Sequence, residues 1–152
     1  MKLRKKILVG ASIFIPIILF AAFFIKLNKA PFDITTAEID FRVSTSELLN
    51  EFTLDYEKAN EKYFSGNSDS KVLLLTGAIH KIDKNLRGDI TILLKDKEIS
   101  PFGVHCTFSN KDLDFKNGET VTVKGLLNAG FHYDTDLGLY ENAILDKSII
   151  VK

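Results

Sequence analysis

Few side chains in this 152-residue chain could do chemistry: three histidines, one cysteine and two close acidic pairs. His80, His105 and His132 are far apart in sequence, and no His-x-x-His-type spacing supports a metal site. His80 and His132 could meet at one rim, with Asp134 or Asp136 beside them. Isolated surface histidines are the simpler reading, so neither a metal nor any other cofactor is expected. Cys106 alternates with Val104 and Phe108, as a small buried hydrophobe would. A thiol nucleophile wants exposure and a nearby base, and on a strand His105 points to the opposite face. A single cysteine also excludes an intrachain disulfide and a cysteine-built zinc site. Asp83-x-Asn85-x-Arg87-Gly88 resembles the start of a calcium loop, but Arg87 stands at its fifth position and Leu94 at its twelfth, so the pattern fails. Asp112/Asp114 and Asp134/Asp136 lack a nucleophile or a second carboxylate arrangement and read as solvated turn residues. No catalytic residues are expected, and the chain is not expected to be an enzyme.

The elements that would position these groups follow from periodicity. Ser44-Thr45-Ser46-Glu47 fits a capping box, and Leu48, Phe52, Tyr56, Ala59 and Tyr63 continue as one apolar stripe. One amphipathic helix is therefore expected, ending at Gly66-Asn67-Ser68. From Lys71 the pattern changes to strands. Lys71–Ile82 is rich in Val, Leu and Ile, with Gly77 marking a bulge or bend. Asp83–Gly88 is a turn, and Asp89–Lys95 forms a second strand. Val104, Cys106 and Phe108 give a third, and Thr120–Leu127 a fourth with a bend at Gly125. His132–Asp136 reads as a polar loop before a last strand region, Leu137–Val151, broken near Asn142. Five strands with internal glycines suit a small closed barrel. A two-layer sandwich fits less well.

The first 26 residues set the context. Lys2, Arg4, Lys5 and Lys6 precede an uncharged, mostly apolar run from Ile7 to Ile25 that Lys26 closes. As a helix, ~19 residues span roughly 28 Å, close to a bilayer's hydrocarbon core of about 30 Å. The run is long for a cleaved signal, Ala21-Ala22 before Phe23-Phe24 is a poor cleavage site, and no cysteine near its end could carry a lipid. An uncleaved single-pass anchor is expected. The basic start should stay cytoplasmic, and the rest should face the periplasm or cell exterior. Residues 27–42 would be a linker, unless Phe32, Ile34 or Phe41 docks on the domain that follows.

Charge narrows the partners. Five of the 20 Lys and Arg lie in residues 1–26, and all 20 Asp and Glu lie beyond them, so 15 basic face 20 acidic residues in the remainder. An acidic domain without a basic cluster is a poor ligand for nucleic acid or an anionic membrane surface.

Four stretches together resemble the tRNA_anti-like family of OB-fold domains: Leu48–Tyr63, Lys71–Gly77 running to Ile79 and Ile82, His105–Phe108, and Asn117–Gly125. The resemblance spans roughly residues 43–151. It implies the fold and membership among small anchored or exported bacterial proteins, and it implies no activity or catalytic residue.

The expected architecture is thus mainly β. A five-stranded OB-type barrel (43–152) is preceded by one amphipathic helix and stands behind a transmembrane segment (1–26) and linker (27–42). The expected role is a binding or protein-interaction module at the cell envelope. Single-stranded nucleic-acid binding by fold analogy, and a metal-assisted enzyme, are the alternatives. The ligand face would be the outer surface of the second and third barrel strands with two flanking loops: Arg87, Thr91, His105, Thr107, His132 and Tyr133.

Overall fold

The computed structural model describes residues 32–64, 70–96, 102–110 and 112–151. The expected transmembrane segment lies outside the described residues. Among these residues no helix is long and apolar enough to cross a membrane. Residues 33–152 form one compact unit.

Five strands close the barrel: β2 (Val72–Lys84), β3 (Ile90–Lys95), β4 (Val104–Phe108), β5 (Thr120–Ala129) and β8 (Ala143–Ile150). β2 pairs antiparallel with β3 through its second half and with β5 through its first. β4 joins β3 antiparallel and β8 in parallel, and β5–β8 completes the circuit. Every second residue points inward, so Ile92, Leu94, Val104, Cys106, Val123 and Leu145 are fully buried.

Three further strands lie outside the barrel; β1 and β6 were not expected, whereas β7 is the first piece of the expected last strand region. β1 (Phe41–Ser44) pairs in parallel with Leu73–Thr76 of β2, and β6 (His132–Asp134) forms a hairpin with β7 (Leu139–Glu141). The predicted polar loop at His132–Asp136 is therefore one arm of a hairpin. Its turn is closed by the Asp134 carboxylate, which accepts the amides of Asp136 and Leu137 at 2.8 and 3.0 Å, and by Gly138 at φ +64°. The predicted break at Asn142 separates β7 from β8.

The single expected helix is two: α1 (Thr45–Leu54) and α2 (Tyr56–Phe64). Asp55 makes the break. Its own amide ends α1 on the Glu51 carbonyl at 3.1 Å, and its carboxylate then accepts the Lys58 amide at 3.1 Å and starts α2. The change of phase turns Tyr56 out of the apolar stripe to the surface, whereas Leu48, Phe52, Ala59 and Tyr63 enter the core. The capping box forms as expected, with Ser44 and Glu47 exchanging bonds of 3.1 and 2.7 Å. The start of α1 is also tied to the barrel, where Asp96 accepts the Ser46 amide at 2.7 Å and Thr45 donates to the Thr76 carbonyl at 3.3 Å. Gly77 exists for this contact, because a Cβ there would strike the Thr45 hydroxyl. The β2 bulge falls at Ile79–Lys81 instead. Gly125 does sit at a register shift of β5.

Ahead of β1, the expected linker carries structure from Asp33 onward. Ile34 is buried, the buried Lys124 ammonium donates to the Thr35 carbonyl at 3.1 Å, and Asp40 exchanges two bonds with Val72.

Candidate functional site

The six expected ligand residues lie on and around β4, but not as one cluster. Register places Asp83, Thr91 and Thr107 in one outward row, and Lys81, Leu93, His105 and Ile144 in the next. At one end of β4, Ile90 pairs with Phe108 beside the β2–β3 turn that carries Arg87. At the other, Val104 pairs with Ala143, and Tyr140 of the hairpin lies 4.8 Å from Phe102, ring centre to ring centre. Four steps of ~3.3 Å separate these ends by roughly 13 Å.

Thr91 departs from expectation. It points outward by alternation, between Asp83 and Thr107 on the neighbouring strands, yet it is buried. His105 and Thr107 are half-buried, and Arg87 is exposed. The outer face is electrically mixed. Lys81 pairs with Asp83 at 2.8 Å. Lys81, the Lys84 amide and, more weakly, His105 hold the Asp83 carboxyl below its ordinary 3.8. That row is not a basic track. The β2–β3 turn is shaped by its own residues: the Asn85 side chain accepts the Arg87 and Asp89 amides, both at 2.9 Å, and Gly88 supplies φ +80°. A calcium ligand set does not form there.

The hairpin end is chemically distinct. Tyr133 faces Tyr140 across the two strands, 4.7 Å between ring centres. From Tyr140 an unbroken series of ring contacts runs inward through Phe102, Phe131 and Phe52 to Tyr63, at spacings of 4.8 to 6.1 Å. Tyr56, freed from the stripe by the helix break, packs on His132 at 5.6 Å. The hairpin is thus seated on the core by rings, yet Tyr133, Leu137, Leu139 and Tyr140 all remain exposed. No Lys or Arg occurs from Gly125 to Asp146, a stretch that holds Asp134, Asp136, Glu141 and Asp146. Sequence reasoning found His132 and Tyr133 and missed Tyr56, Leu137, Leu139 and Tyr140. The usable signal was the pair of aromatic triplets, His132-Tyr133-Asp134 and Leu139-Tyr140-Glu141, about Gly138.

His80 does not join His132. It borders a groove with Lys95, Asp96 and Asn117 at the β2 bulge. Among the described residues no three His, Cys, Asp or Glu side chains converge as a metal site would need. Cys106 is fully buried, and burial pushes its thiol far above the ordinary 9.0.

The family model for tRNA_anti-like domains matches residues 1–135, which takes in the basic and apolar N-terminal run and leaves β7 and β8 outside. No curated protein matches. Among solved structures, a "putative nucleic acid-binding lipoprotein" from Klebsiella pneumoniae subsp. pneumoniae is similar over 81% of this chain and 100% of its own, with 19% identity and a TM-score of 0.49.

Proposed function

The chain belongs to the tRNA_anti-like family, and from that premise we propose that it is a membrane-anchored OB-fold module that binds a protein partner outside the cytoplasm. The observation that carries this reading is the hairpin end: exposed Tyr and Leu side chains framed by carboxylates, in a stretch without one cation. Single-stranded nucleic acid needs a positively charged groove along which bases stack. The tyrosines supply stacking surface, but the charge beside them has the wrong sign. Support for the anchor comes from the length of the uncharged run Ile7–Ile25 and its basic flank. The module is proposed to act without catalysis or a cofactor, in the cytoplasmic membrane, with its barrel facing the periplasm or cell exterior.

Two measurements test compartment and ligand class. The native thiol is buried, so a Thr135→Cys variant carries one accessible cysteine, at the exposed hairpin turn. A membrane-impermeant maleimide should label it in cells whose cytoplasmic membrane is intact. Labelling that requires permeabilisation of that membrane overturns the orientation. The purified full chain should show no affinity for a single-stranded oligonucleotide even at low salt, and a salt-dependent affinity would replace protein with nucleic acid.

A further inference from the structure

The partner's chemistry can be read from the two faces of the hairpin. β6 and β7 pair with each other and with no other strand among the described residues. An outer edge of the hairpin can therefore take a third strand by backbone hydrogen bonds. Register sorts the side chains. Tyr133 and Tyr140 share one face; His132, Glu141, Asp134 and Leu139 share the other. One face offers aromatic surface and the opposite face offers carboxylates. A strand added at the edge meets both, because its own side chains alternate with the same period of two.

We infer that the hairpin binds an extended segment of a partner protein in which Lys or Arg alternates with apolar residues. This rests on the reading of the chain as a protein-binding module and adds the partner's pattern and its mode of docking. The apolar positions cover Tyr133 and Tyr140, and the cations face Glu141 and Asp134, with Asp136 at the turn. The same carboxylates repel the two other occupants that exposed Leu and Tyr side chains suit, an anionic bilayer and a nucleic acid. Leu137, 67% exposed at the turn, adds apolar surface at the tip, and Leu139, 61% exposed, lies on the carboxylate face.

The probe is a labelled 12-residue peptide alternating leucine and lysine. It is titrated against the full chain in zwitterionic lipid nanodiscs, with a leucine–glutamate peptide, a 12-nucleotide oligothymidylate and anionic vesicles as comparisons. The lysine peptide should bind with backbone amide shifts confined to residues 131–142. Joint Asp136→Lys and Glu141→Lys exchange leaves the turn bonds of Asp134 intact. It should weaken that peptide roughly ten-fold and raise affinity for the glutamate peptide. Tyr133→Ser should weaken both peptides. Equal binding of the two peptides to the native chain, shifts elsewhere on the barrel, or no response to the charge exchange overturns the inference and leaves the protein-binding reading standing. Oligothymidylate or vesicle binding at the hairpin overturns both.

Discussion

A methyl group at Gly130 should loosen the ring series that seats the hairpin. Gly130 follows β5 and leads into Phe131, and a Cβ placed there falls on the Phe52 ring. That ring cannot simply give way. It stacks on Tyr63 at 5.7 Å and 18°, meets Phe131 edgewise at 6.1 Å, and is itself buried. Gly130→Ala therefore forces Phe52 off its rotamer or shifts the end of β5, the kind of overpacking that costs about 1–3 kcal/mol. For a unit of this size, ~2 kcal/mol lowers Tm by roughly 8 °C. Thermal melts followed by circular dichroism read the loss. Tyrosine fluorescence reads the hairpin, because Tyr133 and Tyr140 lie just beyond the strained turn. The same methyl should cost much less in a Phe52→Leu background, which removes the struck atoms, with a coupling of at least about 1 kcal/mol. A Gly130→Ala variant that melts with the native chain refutes the reasoning. So does an equal loss in both backgrounds, since it would place the strain elsewhere.

Cys106 should resist thiol reagents in the folded chain and react only as fast as the barrel unfolds; immediate labelling would show the core to be open. Ser44→Ala should cost about 1 kcal/mol by removing the cap of α1, measured by denaturant unfolding. The Ser44 amide and hydroxyl hold the Glu47 carboxyl below its ordinary 4.5, so its contribution is present above that pH and is lost as pH falls through the lowered folded value. Glu47→Gln should accordingly melt below the native chain at pH 7 and converge on it in acid, once the carboxylate is protonated. A gap that persists in acid would assign the effect to something other than ionisation. Lys124→Met removes the ammonium that holds the Thr35 carbonyl, so limited proteolysis between residues 33 and 37 should quicken while the barrel's Tm changes little. Unchanged cleavage would show that the Lys124 bond does not hold residues 33–37 in place.

What the sequence disclosed was what is local. The capping box needs four consecutive residues, the β4 alternation needs five, and the turn at Asn85–Asp89 is written in its own side chains. Asp55 was legible as well, since an Asp three residues before the amide it caps is a helix start. The longer apolar stripe that ran across it masked the signal. β1 could not be read, because its pairing joins Phe41 to Leu73, and a parallel contact across that separation leaves no periodic mark. Alternation gave the face of Thr91, but its burial is set by the neighbouring strands, which the local sequence does not show. The first arm of the hairpin was missed because its acidic residues resembled a solvated loop, whereas its seating depends on Phe102 and Phe131, which meet only in the fold.

The most direct test of the account replaces Tyr140 with a photo-crosslinking phenylalanine analogue in intact, protein-producing cells, with Thr107 as the comparison position. Protein binding through the hairpin predicts a discrete, protease-sensitive adduct from position 140, weaker from 107, that disappears on joint Asp136→Lys and Glu141→Lys exchange. A nuclease-sensitive adduct, or one that forms from position 107 and ignores the charge exchange, would contradict it.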